Sequence, residues 1–389
     1  MAYTLFKSYF WNIQEMKKVL IIQRILPHYR INFFKKLGNK LIDNQISLDI
    51  VSGQPRKNEF YNLENQGLSN LTNVKNIYFG KKFYLSLINF FKFKNYDLII
   101  VEQCNSAILN YLLFLFFNKK KLAFWGHGKN LNTYKKNYLS NFLRKCLLTQ
   151  INHFFAYTKM SANIICGMGF NKDNITIVNN SIDLDDFEKL INSIKDSELE
   201  VSYYELFKKK RSAEDVVGIF CGRLVELKKI PLLLESITLI NKLYKNFKMI
   251  IIGDGEHKKL VDEFSKKNNW CVSIDSVYER KKALYFSHAD IFINTGMTGL
   301  AILDAFKAKL PYITMDNKIH SPEIDYLESG VNGFMSKNCK DDLVKCICEL
   351  INNKEKITIM KKEAYKSSKK YDSSNMASNF YDGISKLLN

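Results

Sequence analysis

Short apolar runs alternate with longer stretches of helical periodicity along most of the chain, and they do so in two blocks. In the first block, the runs at 19–22, 48–51, 97–101, 122–125, 154–157 and 175–178 read as strands, with helices over 31–41 and from 106 onward. A polar stretch from Glu188 to Asp215 follows, carrying the basic run Lys208-Lys209-Lys210-Arg211. The alternation then restarts, with strands at 216–221, 249–252, 271–274, 291–294 and 312–314 and helices at 230–243, 256–267, 281–287 and 299–308. The last third reads as helical. Strands separated by helices imply βαβ units and parallel sheets. The expected class is therefore α/β, with two Rossmann-like domains at 1–190 and 216–370 and a linker at 191–215. Ligands of such sheets lie outside the carboxyl ends of the strands, which puts the expected site in an interdomain cleft.

The longest apolar stretch runs from Ser106 to Phe117 and ends at Asn118 and three lysines. It is shorter than the roughly 20 residues that cross a bilayer, so a buried helix is expected. The opening segment, Met1 to Lys18, lacks a basic region leading into an uninterrupted apolar run, and no secretory signal is expected. A length of 389 residues calls for two domains, and 46% hydrophobic with 25% charged residues excludes disordered and collagen-like classes. The net charge of +19 is uneven: residues 1–190 hold 26 basic and 12 acidic residues, and residues 191–389 hold 32 and 27. A basic front half suits an anionic partner, although a coding bias towards Lys and Asn would produce the same excess. Nucleic acid is not an expected partner, because no recognised reading motif accompanies the charge. The eight cysteines include no CxxC pair and sit mostly in apolar runs, which fits a reducing compartment and neither a zinc site nor a disulfide framework.

Three segments carry candidate chemistry. In Gly218 to Leu232 a strand ends at Gly222, Arg223 and Lys228 follow five apart, and a helix starts. Arg can grip phosphate oxygens bidentately and Lys adds a point charge, so the pair suits a diphosphate. In Gly253-Asp254-Gly255 a Gly-x-Gly turn joins strand to helix, where a ligand can approach a helix N-terminus; a plain tight turn is the more common explanation of such a pair, and the dinucleotide fingerprint is missing. In Asn294 to Pro311 a strand runs into the Thr/Gly-rich loop Thr295-Gly296-Met297-Thr298-Gly299-Leu300, and then a helix bearing Asp304.

In this order and spacing, the three segments resemble the donor-binding half of the family 4 glycosyltransferases of the GT-B fold. Gly222, Arg223, Leu224, Glu226, Lys228 and Ile230 match that family's Gly-Arg-Leu…Glu-x-Lys-Gly-Ile stretch. Gly253 and Gly255 match its Gly-x-Gly turn, and Gly299, Leu300, Asp304, Ala305 and Pro311 its Gly-Leu-x-x-x-Glu-Ala helix and following strand. Pro322-Glu323, Gly330 to Phe334, Tyr157-Thr158, Gly169-Phe170, the run from Ile175 to Asp183 and the loop Trp125-Gly126-His127-Gly128 extend the likeness to about 17–380. The sequence departs from the family at its paired glutamates, eight positions apart, where Gly296 and Asp304 stand. Lys229 stands where the phosphate loop has Gly, and Leu26-Pro27-His28-Tyr29-Arg30 replaces the glycine-rich turn after the first strand.

The resemblance implies a retaining transfer of a sugar from a nucleotide-diphosphate donor to a hydroxyl of a glycan or lipid-linked acceptor, in bacterial surface-polysaccharide synthesis. The alternative is a GT-B-shaped partner without catalysis. The implied catalytic residues are His127, Arg223 and Lys228. Donor-binding candidates are Gly222, Gly253, Gly255, Thr298, Gly299, Leu300, Asp304 and Glu323; acceptor-binding candidates are His28, Arg30, Glu102 and Asn105. No metal and no cofactor are expected, the nucleotide sugar being a co-substrate. Asp183-Leu184-Asp185, which has the spacing of a metal signature, reads instead as a helix N-cap and first-turn acids. His153, His257 and His288 read as structural, the last two as exposed helix residues. Segment 371–389 is expected to pack back on the first domain as a helix. The basic and aromatic segments Lys81 to Tyr84, Phe90 to Lys94 and Lys119 to Lys121 suit an anionic membrane surface, and a cytoplasmic location, peripheral on the inner membrane face, is expected.

Overall fold

Seven parallel strands form the first sheet of the structure, a computed structural model that describes residues 16–56, 59, 67–80, 82–128 and 138–389. Residues 1–15 and Lys81, on which two of the sequence readings fall, lie outside the described residues. The chain forms β1 (Lys17–Gln23), β2 (Ile46–Gly53) and β3 (Leu71–Val74), and then a separate antiparallel hairpin of β4 (Asn76–Phe79) and β5 (Phe83–Ser86). The sheet resumes with β6 (Leu98–Glu102), β7 (Leu122–Gly126), β8 (His153–Ala156) and β9 (Ile175–Ile177), in the order β3-β2-β1-β6-β7-β8-β9. Strand β1 is central, with Val19 opposite Leu48 on one side and Leu98 on the other. Val19 and Ile21 point into a core with Phe34 and Leu37, whereas Leu20 and Ile22 point into one with Phe93 and Leu109. A strand buried on both faces must be apolar throughout, which is why this run stands out in the sequence. Strands β3, β4 and β5 do not stand out, because their residues are largely exposed or half-buried.

The second sheet comprises β10 (Val216–Cys221), β11 (Phe247–Ile252), β12 (Cys271–Ile274), β13 (Ile291–Asn294), β14 (Tyr312–Met315) and β15 (Gly333–Ser336), all parallel, in the order β12-β11-β10-β13-β14-β15. The last of these is a short edge strand inside a region read as helical.

The segment 191–215 is not a plain linker. It contains the helix Asp196–Phe207, which buries Tyr203 and Phe207 in the second domain's core beside Phe187 of the helix Asp185–Asn192. This also corrects His288. It ends the helix Glu279–His288, but Asp196–Phe207 covers it, leaving it 1% exposed with Nε2 3.1 Å from Ser202 Oγ. His153 is buried too, with Nε2 2.8 Å from Thr176 Oγ1.

The terminal helix Ser373–Leu388 lies on the helix Ile31–Ile42 of the first domain. Its Phe380 ring stacks on Phe155 at 4.6 Å and meets Trp125 edge-on at 4.8 Å. Burying one such ring contributes about 1.5–3 kcal/mol, enough to hold the chain end across the domain boundary. The apolar stretch after Ser106 forms the helix Ile108–Phe116, which buries Leu109 and Leu113 but leaves Leu115 and Phe116 exposed; the buried-helix expectation holds for one face only. Among the described residues no helix is long and apolar enough to cross a membrane.

Candidate functional site

The candidate site residues lie at or after the carboxyl ends of strands, Glu102 as the last residue of β6 and His127, Arg223 and Glu323 beyond β7, β10 and β14, so the carboxyl ends of the two sheets define the site. They face one another directly. Arg30, after β1, donates from Nη2 to Asn180 Oδ1 at 3.2 Å, and Asn180 Nδ2 donates to Glu323 Oε1, after β14, at 2.6 Å. Tyr326 Oη donates to the Asn180 carbonyl at 2.9 Å, and the Met160 amide donates to Asp325.

On the second domain, the loop after β10 is clasped by two neighbours. Gly253 and Gly255 have φ of 150° and 145°, and a Cβ on either would overlap the carbonyl oxygens of Gly222 and Leu224. The Gly-x-Gly turn thus admits the protein's own backbone: Leu224 N donates to Asp254 O at 2.8 Å, and His257 N to Leu224 O at 2.9 Å. On the other side, Met297 N donates to Leu227 O at 2.8 Å, and Thr295 Oγ1 reaches the Lys228 and Lys229 carbonyls at 3.0 and 3.1 Å. A Cβ on Gly296 would overlap Leu227 O and the Lys228 backbone. At the position of the family's first glutamate, this chain packs the loop after β10 instead. Lys229 takes the left-handed conformation, φ 51° and ψ 46°, that glycine would adopt without strain.

This clasp presents the two cations. Arg223 is exposed; its carbonyl accepts from Val225 N at 3.0 Å, and its guanidinium has no hydrogen bond or ion pair among the described residues. Lys228 is half-buried, donates from Nζ to Met297 O at 2.6 Å, and has its pKa lowered to about 8 by burial and, second, by the Arg223 charge. Two ammonium protons remain for a ligand. The loop after β13 turns its Thr298 side chain inward, towards Asn294 and Tyr312, whereas a Cβ on Gly299 would meet only Ser321 Oγ, at 3.9 Å. Leu300 caps the helix Ala301–Lys307 and packs inward, and Asp304 on that helix pairs with Lys282 at 2.7 Å. The thiol of Cys221, at the end of β10, is held up at about 12 by burial and feels Lys282, Asp304 and Lys228 in turn, which places this ion pair beside the clamp.

His320 completes this side, and the sequence reading passed over it. It is 6% exposed, donates from one ring nitrogen to Met315 O (2.8 Å) and accepts the Thr298 amide on Nδ1 (3.0 Å); burial lowers its pKa. That pattern requires the neutral ring. The rule that singled out His28 and His127, a histidine on the loop after a strand, applies to it as well.

On the first domain, His127 follows β7 between two glycines. His127 is exposed as a residue, yet desolvation of its ring by the surrounding protein and, second, the charge of Arg30 lower its pKa to about 4. It is therefore neutral at pH 7. Its centroid lies 4.1 Å from that of Tyr157. Arg30 is 4% exposed, lies 4.1 Å over the Trp125 ring and donates to Tyr157 Oη at 2.8 Å. Glu102 is half-buried and next to it, its pKa raised by burial against the opposing pull of Arg30. Gln23 Nε2, Arg30 Nη1 and Trp125 Nε1 are buried donors without a partner among the described residues. Gln23 ends β1, and Glu102 stands opposite Trp125 in the β6–β7 pairing, so these groups share the end of the sheet. Asn105 is half-buried with its carbonyl accepting from Tyr111 Oη, and His28 is exposed at the rim.

Asp183 and Asp185 both pair with Lys36, at 3.0 and 2.9 Å, and Asp183 accepts the Asp185 amide. They tie the domain crossover to the helix Ile31–Ile42. Among the described residues, Glu226, Glu256 and His257 bring three ligand-type atoms within 4.8 Å of one another, with both carboxylates exposed. His257, read as an exposed helix residue, is half-buried at the start of the helix Lys258–Lys267.

A family model described as glycosyl transferases group 1 matches residues 204–367, and one described as Glycosyltransferase Family 4 matches residues 32–186. The chain is similar to the alpha-monoglucosyldiacylglycerol synthase of Acholeplasma laidlawii, with 31% identity over 165 residues, covering 41% of this chain and 40% of that protein. Among solved structures, it resembles Anabaena HepE in complex with UDP at a TM-score of 0.70 and 14% identity, over 95% of this chain and all of that one. It also resembles a lipopolysaccharide outer core galactosyltransferase in its apo form, at 0.65 and 14%, over 95% of this chain and 99% of that one. With one model on each domain and the same two-domain fold along nearly its whole length, the chain belongs to the family 4 glycosyltransferases of the GT-B fold.

Proposed function

We propose that this chain is a retaining glycosyltransferase that moves a sugar from a nucleoside-diphosphate donor to a hydroxyl of a glycan or lipid-linked acceptor, in the synthesis of a bacterial surface polysaccharide. The observation that carries this reading is the clamp, with the Arg223 guanidinium unpaired among the described residues and Lys228 half-buried on a loop braced from both sides. The acceptor oxygen bonds to the anomeric carbon as the carbon–phosphate oxygen bond breaks on the same face. The acceptor's proton passes to the departing phosphate oxygen, and Arg223 and Lys228 stabilise the charge that develops there. His127, neutral, hydrogen-bonds the donor sugar. Gly299, Leu300, Asp304 and Glu323 would border the donor. Arg30, Glu102, His28 and Asn105 would border the acceptor, and the three unpartnered donors suit a hydroxyl-rich one. The packed Gly296 also favours a second reading, a transferase-shaped partner without turnover.

One experiment separates the two. UDP at 100 times its dissociation constant should stabilise the fold by about 2.7 kcal/mol, and transfer from a UDP-sugar to the acceptor hydroxyl should persist in EDTA. UDP binding without turnover on any acceptor would leave the partner reading. Turnover abolished by EDTA and restored by Mg²⁺ would bring a metal into the site and return attention to Glu226, Glu256 and His257.

The reading includes a peripheral membrane site on the cytoplasmic side. The first domain exposes Phe79, Phe83, Phe91, Leu115, Phe116 and Phe142, and Lys82, Lys92, Lys94 and Lys119 to Lys121 accompany them in the sequence. Rings and lysine stems of this kind suit an anionic interface. All eight cysteines are free, which fits a reducing compartment. The protein is expected to pellet with anionic vesicles at low salt and to be released at high salt, since screening shortens the attraction. Equal pelleting with neutral vesicles, or none at any salt, would remove the membrane from the proposal.

A further inference from the structure

The loop that carries His127 has two glycines and so little stiffness of its own. Among the described residues its backbone is anchored by the Gln103 carboxamide, which accepts the Gly128 amide at 2.9 Å and donates to the Gly128 carbonyl at 3.2 Å. Gly128 has φ +84°. That contact fixes the loop but not the imidazole, whose terminal torsion has only broad wells. The ring is held from elsewhere. Tyr157 lies with its centroid 4.1 Å from the imidazole, the two planes at 53°. Its own position is over-determined: Tyr157 N donates to Gly126 O at 3.2 Å, Asn180 N donates to Tyr157 O at 2.8 Å, and Arg30 Nη2 donates to the phenol oxygen at 2.8 Å. Arg30 in turn stacks on Trp125 and reaches Asn180, which Glu323 of the donor domain holds.

We infer that Tyr157 is a positioning residue for the transfer reaction, its ring aiming the His127 imidazole while Arg30 fixes the phenol. Nothing in the composition or spacing of the sequence marks this role. The phenol stays protonated, because burial raises its pKa, and so adds no charge beside the donor sugar. The chain of contacts from His127 through Tyr157, Arg30 and Asn180 to Glu323 also registers the imidazole against the opposite domain, where the diphosphate would sit. The inference rests on the reading of His127 as a donor-sugar contact.

The test is a double-mutant cycle on the full chain, with sugar transfer as one readout and UDP affinity as the other. Tyr157→Leu is expected to lower kcat by about 10–100-fold, the usual loss when a reacting group is misplaced by about an ångström. The donor KM and UDP affinity should change by no more than about twofold. Tyr157→Phe, which keeps the ring and loses only the Arg30 bond, should lose less. In the His127→Ala background, Tyr157→Leu should have no further effect, because a platform has nothing left to aim. The inference falls if the two losses multiply, or if Tyr157→Phe is as damaged as Tyr157→Leu, since the hydroxyl would then act on substrate directly. Should Tyr157→Leu fail to fold, Tyr157→Met takes its place in the same cycle. Wild-type turnover in His127→Ala would refute the reading of His127 and the inference with it, whereas a disabled His127→Ala with a multiplicative Tyr157→Leu refutes the inference alone.

Discussion

Lys228→Ala is expected to lower sugar transfer by about 10²–10³-fold, the cost of removing one preorganised donor from developing charge, with the fold intact. The fold should tolerate it because Met297 O, which accepts from Lys228, also accepts from Asn294 Nδ2 at 3.2 Å. The substitution also removes a charge that burial disfavours. The pH dependence follows from the lowered pKa of about 8. Below that value Lys228 is an ammonium and can grip a diphosphate; above it the free protein loses the charge, so UDP affinity should fall as pH rises through about 8. For stability the sign is opposite. Between about 8 and the ordinary 10.5, the unfolded chain binds more protons than the folded one, so stability attributable to this group rises with pH. Turnover measured against melting temperature checks both. Near-native turnover in Lys228→Ala would move the clamp elsewhere, and a pH-independent UDP affinity would mean that the free lysine keeps its proton.

Gly296→Glu, which restores the family's usual residue, is expected to damage the protein. Any Cβ at 296 meets Leu227 O and the Lys228 backbone, not the flexible tip of a side chain. Overpacking against backbone costs about 3 kcal/mol, at the upper end of the usual range, even for alanine. If the second domain unfolds as its own unit, on the scale of a domain of roughly 150–250 residues, that lowers its melting temperature by roughly 6–12 °C. The strain falls on the loop that carries the clamp, so UDP affinity should drop in Gly296→Ala and further in Gly296→Glu. Thermal unfolding with and without UDP measures both quantities. A Gly296→Glu protein that melts and binds UDP like wild type would show that the loop can move aside, and that the missing glutamate is a simple vacancy.

The sequence by itself determined the α/β class, the two blocks of parallel strands and the loops that carry candidate chemistry. Strands buried on both faces must be continuously apolar, as Val19 to Ile22 and Ile291 to Asn294 nearly are, and the residues after their carboxyl ends are where such a fold exposes ligand groups. That is why Arg30, His127, Arg223 and Lys228 were legible. The helix Asp196–Phe207 was not, because only Ser202, Tyr203 and Phe207 of its twelve residues are buried and its apolar face is narrow; His288, buried beneath it, was lost with it. Tertiary structure alone decided what each of these residues contacts. Asn180 lies 143 positions from Glu323 and 150 from Arg30, and Gly296 meets a loop nearly 70 residues earlier. Lys282 and Asp304 pair across separate helices. Local periodicity records which face of an element is apolar, but a hydrogen bond between distant loops leaves no trace in either loop's own pattern, because its partner is specified only once the sheets have packed and the two carboxyl ends have met.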